Sequence, residues 1–250
     1  MRTFRFFRWT TRLATAAAVV STAVYATLIA RAWRRYGTPA RAGAGEEDAL
    51  LDRFMPVFDV VERHRIFVAA PAATVLAAAK DQDLMHSPLT RAIFKTREVV
   101  LGASPDKTLP RGLLATVRSL GWGVLAEQPE REIVVGAVTQ PWEANVTFRS
   151  LPPDQFADYN QPGDVKIVWT LRADPVGEHH SVFMTETRAV ATDPAARDRF
   201  RRYWAFASPG IAAIRWLSLK PLKQEAERRA RAPQAAWPWS IVRARTQNPR

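Results

Sequence analysis

The chain alternates apolar and polar positions in several short runs, then closes on one long stretch of helical period. The clearest alternation lies at 165–173. Val165, Ile167, Trp169, Leu171 and Ala173 fall on one side, Lys166, Thr170 and Arg172 on the other, and Val168 is the exception. A period of two predicts a strand with one buried and one wet face. Residues 57–68, 121–127, 132–139 and 181–190 read as further strands and 97–101 as a shorter one, separated by Gly, Pro and Asp clusters. Residues 128–131, Gln-Pro-Glu-Arg, form the turn of a hairpin. Residues 71–80 read as a short helix opened by proline, and 87–94 as a further helical turn or two. Residues 113–120 fit either a helical turn or a strand, and 151–164 are loop-like.

The closing helix runs from Asp193, an N-cap, and Pro194, its first helical position, to about residue 230. Phe200, Tyr203, Trp204 and Ala207 make an apolar stripe at i, i+3, i+4 and i+7. Pro209 removes an amide donor and clashes with the preceding turn, which predicts a break or kink. Ile211, Ile214 and Leu217 resume an apolar face, and Pro221 predicts a second kink.

At the other end, residues 13–30 (LATAAAVVSTAVYATLIA) carry no charge. Eighteen residues is the lower limit for a helix crossing a hydrocarbon core of roughly 30 Å. Trp9 flanks the run on one side, Trp33 and Tyr36 on the other, as interfacial anchors do. The expectation is a single-pass membrane anchor, its side undetermined because four arginines lie on each flank. A cleaved signal peptide and an Ala-rich helix away from lipid are the alternatives. The chain then divides into a basic N-terminus with anchor at 1–36, a linker at 37–54, a globular domain at 55–231 and a disordered basic tail at 232–250. Trp237, Trp239 and Ile241 in that tail suit entry into a headgroup layer.

Charge sharpens this division. The net charge of +12 is carried by the ends: residues 1–41 hold +8 and residues 222–250 hold +5, while 42–221 is −1. A near-neutral body between basic ends argues against a nucleic-acid-binding domain and for a membrane surface. A hydrophobic content of 47% supports a core. The absence of Cys excludes disulfides, thiolate metal sites and thiol catalysis.

The order of elements resembles the START/Bet v1-like helix-grip superfamily, also called SRPBCC or polyketide cyclase-like. The matching pieces are FDVVERHRIFVAAPAATVLAAA at 58–79 and HSVFMTETRAVATDPAARDRFRRYW at 180–204, with the helix that follows. The resemblance covers roughly 55–230 and rests on pattern rather than on an exclusive motif. It implies an α+β fold in which a curved antiparallel sheet grips a long C-terminal helix around a hydrophobic pocket, here preceded by an N-terminal hydrophobic helix. It also implies that the first and last strands are neighbours. Members bind lipids, hormones, quinones and polyketides, and some are cyclases or hydrolases.

Ionisable residues interrupt two apolar faces. Phe58, Val60, Ile66 and Val68 share a face of the first strand with Glu62 and His64 between them. Val182, Met184 and Val190 share a face of the last strand with Glu186 and Arg188 between them. Such residues are costly to bury unless paired. If the two strands are neighbours, the interruptions meet about 5 Å apart across the ladder. This predicts a pocket-floor cluster of Glu62, His64, Glu186 and Arg188 that orients the polar end of an apolar ligand. The alternatives are a salt-bridge network that sets strand register, or a solvated face. Trp142, Trp169, Tyr203 and Trp204 are candidate cavity-lining aromatics.

No G-x-S-x-G, phosphate-binding glycine loop or H-E-x-x-H is present. His179-His180 reads as a loop pair rather than a metal site, and no metal or cofactor is implied. The resulting expectation is a membrane-tethered binding or carrier protein for a hydrophobic small molecule or lipid. The alternatives are a cyclase, dehydratase or hydrolase using His64 and a carboxylate, and a membrane scaffold that binds no ligand.

Overall fold

A computed structural model describes residues 2–83, 91, 95 and 110–232. The expected strand at 97–101 and the tail beyond 232 lie outside the described residues, as does nearly all of the helical stretch expected at 87–94. Among the described residues the elements run α1 (Arg2–Arg35), α2 (Ala49–Asp52), β1 (Val60–Val68), α3 (Ala72–Asp81), α4 (Leu113–Ser119), β2 (Gly123–Gln128), β3 (Glu132–Thr139), β4 (Phe148–Arg149), α5 (Pro153–Phe156), β5 (Val165–Pro175), β6 (Ser181–Ala191) and α6 (Pro194–Arg231). This is an α+β architecture. The six strands form one antiparallel sheet of order β1-β6-β5-β3-β2, with β4 paired to β3. The first and last strands are adjacent, as the resemblance implied.

Register decides what the sheet presents. β1 and β6 pair from Val60 opposite Ala189 to Val68 opposite Ser181. Directly opposed residues of an antiparallel pair point the same way. Val60, Glu62, His64 and Ile66 therefore share a face with Ala189, Thr187, Thr185 and Phe183. Arg63 and Arg65 share the other face with Glu186 and Met184.

The first of these faces carries α6 and α3. One apolar cluster there joins Val68, Trp169, Leu171 and Phe183 to Val75 and Leu76 of α3 and Leu219 and Leu222 of α6. A second joins Val60, Val165 and Ala189 to Tyr36, Phe200 and Trp204. The opposite face, expected to be wet, is covered as well. Val134 and Val168 pack on Leu51, Met55 and Phe156, from the segment 48–55 and from α5. Asp48 sets the start of α2 by accepting the Leu51 amide at 2.8 Å. Gly136 lets α5 approach closely, since a Cβ there would lie 2.5 Å from Leu125 Cδ1 and 2.9 Å from Phe156 Cε2. Such contacts are well inside van der Waals separation.

α6 begins as expected. The Asp193 carboxylate accepts the Ala195 and Ala196 amides at 2.8 and 3.1 Å, with Pro194 at the first position. It runs helical through both Pro209 and Pro221, so of the break or kink expected at Pro209 the break does not occur. An interior proline costs about 3 kcal/mol. Burial of a stripe that includes Phe200, Trp204, Leu219 and Leu222 favours continuation. Close to Pro209, the Phe206 carbonyl accepts the Tyr25 hydroxyl at 2.7 Å.

The N-terminal helix forms, but the membrane anchor is overturned. Among the described residues no helix is long and apolar enough to cross a membrane. The uncharged run is diluted by Ala and Thr and lies within one 34-residue helix that carries arginines at both ends. Its C-terminal half packs along α6. Tyr25 meets Phe206 edge-on at 6.0 Å, Arg201 stands 4.2 Å over Trp33, and Tyr36 meets Phe200 edge-on at 5.8 Å. Trp33 and Tyr36, read from the sequence as interfacial anchors, are protein contacts. The expected membrane localisation and the membrane contact through 13–30 are withdrawn with the anchor.

Candidate ligand-binding site

The four-residue cluster expected across β1 and β6 is divided by the sheet. Glu186 and Arg188 lie on the α2 side and Glu62 and His64 on the α6 side. Phe58 also changes side relative to Val60, since the Arg188 guanidinium stacks over its ring at 4.7 Å. The partner of Glu186 is Arg63, directly opposite it in register.

On the α2 side the charges are closed on one another. Arg63 donates from Nε and Nη2 to the two Glu186 oxygens at 2.7 and 3.0 Å, and Arg188 Nε donates to Glu186 Oε1 at 2.6 Å. Glu186 is 0% exposed. Arg188 also ion-pairs with Asp52 and donates to the Met55 carbonyl at 2.8 Å. Arg63 reaches the Ala40 carbonyl at 2.9 Å. Bidentate, charge-assisted bonds of this kind fix geometry strongly. This half of the expected cluster ties the 40–55 segment to the sheet.

On the α6 side the polar groups are held more loosely. The sequence reading missed one member, Arg215 of α6, which donates to Thr185 Oγ1 at 2.9 Å and stands 5.9 Å over the Trp169 ring. Extending the Phe200–Trp204–Ser208 stripe by two turns reaches Arg215, so an arginine on the buried side of the helix was the available signal. Burial pulls the Arg215 guanidinium down to about 10, against the pull of Glu62. Burial pushes the Glu62 carboxyl above the usual range, partly offset by Arg215, Arg31 and Arg35. Burial, then Arg215, lowers His64. His64 Nε2 is 3.8 Å from Glu62 Oε2, too far for a hydrogen bond. His64 Nε2 and Thr187 Oγ1 are both buried without a hydrogen-bond partner, although such groups normally have one.

Beside this layer lies a half-open cleft of about 290 Å³ between α1, residues 38–40, the edge of β1 and α6. Leu28, Val60, Trp204 and Ala212 give it apolar walls; Arg31, Arg35 and Glu62 supply its charges. Of the residues singled out from the sequence, Glu62 and Trp204 line it. The remaining aromatics serve packing. Tyr203 stacks on Phe200 at 6.3 Å, and Trp169 meets Trp122 edge-on at 6.2 Å. Trp142 packs against the Phe200 cluster with its indole N–H buried and without an acceptor. Among the described residues no group of acidic and histidine side chains is placed to hold a metal.

No family model and no curated protein matches the chain. Solved structures similar to it include a hypothetical protein of Helicobacter pylori, at 7% identity and a TM-score of 0.38, covering 75% of this chain and 99% of that one. A norcoclaurine synthase of Thalictrum flavum, a point mutant in complex with a transition-state analogue, matches at 14% identity and a TM-score of 0.31, covering 66% and 94%. An aromatase/cyclase of a Streptomyces species matches at 14% identity and a TM-score of 0.22, covering 69% and 96%. At these identities and scores they bear on no residue of the site.

Proposed function

We propose that this protein binds a small, mostly apolar molecule in the cleft between α1, β1 and α6, with Glu62 as the contact for the molecule's polar end. The observation that carries this is the cleft itself. Its walls are apolar, and its one carboxyl adjoins two buried polar atoms that the protein leaves unpartnered. Convergent polar groups in an apolar concavity are the usual form of a small-molecule site. The adjacency of β1 and β6 and the long α6 across one face support a place in the helix-grip superfamily for 55–231, with residues 28–40 completing the cleft. At about 290 Å³ the cleft suits a compact molecule rather than a whole lipid. Binding would draw on apolar area removed from water at roughly 25 cal/mol per Å². The acid–base reading of His64 gains no support, since the member of the pair that lines the cleft is Glu62.

The test is native mass spectrometry of the full chain after gentle purification, followed by calorimetric binding of whatever is retained. A small molecule retained by the wild type and weakened by Glu62→Gln, with little change in melting temperature, supports the reading. A chain that is repeatedly empty, or binding untouched by Glu62→Gln and by Trp204→Ala, overturns it.

A further inference from the structure

We propose that the cleft selects small organic anions, taking a carboxylate at the Arg31/Arg35 rim and a hydroxyl or carbonyl at the Glu62 end. This rests on the cleft being the binding site and adds the chemical class of its occupant.

Arg31 and Arg35 are one helical turn apart on α1, so their guanidinium groups project to the same side. Both line the cleft, and both are exposed. Neighbouring arginines are differently engaged. Arg197 ion-pairs with Asp59 at 2.7 Å, Arg201 donates to the Trp33 carbonyl at 3.1 Å, and Arg34 donates to the Ala30 carbonyl at 3.3 Å. Among the described residues Arg31 and Arg35 form no ion pair; their field reaches Glu62 instead, where it lowers the carboxyl's affinity for its proton. Two such arginines converging on a concavity suit a carboxylate, to which guanidinium binds bidentately.

The opposite end sets the ligand's polarity. Glu62 repels an anion when ionised and can donate a hydrogen bond when protonated. Its burial favours the protonated form. Thr187, opposite Glu62 in the ladder, keeps a buried hydroxyl without a partner behind the cleft wall. A neutral hydroxyl or carbonyl satisfies Glu62 where a second carboxylate would not. Between the ends, Leu28, Val60 and Trp204 contact the apolar body. The volume of about 290 Å³ equals about ten waters at roughly 30 Å³ each, enough for one ring and a short chain.

The experiment is calorimetric titration of the full chain with para-hydroxyphenylpropionate, with its uncharged amide, and with palmitate. The acid is expected to bind about tenfold or more tightly than the amide, with a preference that shrinks as salt rises. The double variant Arg31→Gln/Arg35→Gln is expected to bring the acid down to the amide's affinity, while Arg34→Gln leaves it unchanged. An amide that binds as well as the acid and still depends on Glu62 overturns the anion selectivity and leaves the cleft as the site. An acid preference that survives the double variant overturns the arginine assignment. Palmitate binding as tightly as the ring acid overturns the compact size. Failure of acid and amide alike, in a chain also empty by native mass spectrometry, removes this inference and the binding reading together.

Discussion

The two faces of the β1–β6 pair carry the same kinds of residue in opposite states. On the α2 side, Glu186 receives bonds from Arg63 and Arg188, and Arg188 is further held by Asp52 and Met55. On the α6 side, Glu62, His64 and Arg215 also sit among apolar side chains. There the closest approach of Glu62 and His64 is 3.8 Å, and Thr187 and His64 retain unpartnered polar atoms. Burial of ionisable residues therefore does not by itself mark a site. Closure separates the two: a saturated network holds chain segments in place, whereas an unsaturated one beside a cleft can still accept a ligand.

The largest effect expected from this contrast is at Glu186. Glu186→Gln leaves two arginines facing a neutral amide in a buried position. Breaking a buried ion pair on one side typically costs about 3–5 kcal/mol. Urea unfolding should show a loss of that order, while the protein that remains folded keeps any binding in the proposed cleft unchanged. A loss no greater than that of Glu62→Gln would erase the distinction between the faces.

A second effect, of comparable size, is expected in the pH dependence of the α2 side. Glu132 is buried, accepts the Thr170 hydroxyl at 3.0 Å, and faces Asp48 and Arg172. Burial, then Asp48, pushes its carboxyl up from 4.5 to about 8. The native state thus holds this proton more tightly than the unfolded chain does. The associated stability is fully present below about 4.5 and is lost as pH rises through about 8. Chemical unfolding of the wild type should weaken between about pH 5 and about pH 9, and Glu132→Gln should flatten that slope. An unchanged slope would show that burial does not hold the Glu132 carboxyl protonated beneath the 43–52 segment.

Much of this was legible in the sequence. The alternation at 165–173 gave β5, and Asp193-Pro194 marked the start of α6. The resemblance placed β1 next to β6. The register was not legible, because apolar residues occur at both parities of β1 and β6. A slip of one residue turns every side chain to the other face. That is how Glu62, rather than Arg63, was matched with Glu186. The cover over the α2 side was missed because Asp48 to Met55 has too short an apolar pattern to stand out from a linker. The anchor failed for a different reason. The expectation rested on the charge-free length of 13–30 and on flanking aromatics, but Ala and Thr fill much of the run, and Trp33 and Tyr36 have partners on α6 and at Asp59.

The smallest stability effect, and the sharpest check on the contrast, is expected at Arg215. Arg215→Met removes the bond to Thr185 and the cation over Trp169, each worth about 1 kcal/mol. It also removes a desolvated charge and supplies a flexible apolar chain in its place, and replacing buried charge by apolar volume is often neutral. Glu62 keeps an outlet, because its side chain is 27% exposed and its carboxyl can take up a proton. The net change should be about 1 kcal/mol or less, and with its largest opposing charge gone the Glu62 carboxyl should rise further. Urea unfolding measures the first and carboxyl chemical shifts against pH the second. If Arg215→Met costs as much as Glu186→Gln, the α6-side layer is a structural network like its counterpart, and Glu62 is held by the fold rather than reserved for a ligand.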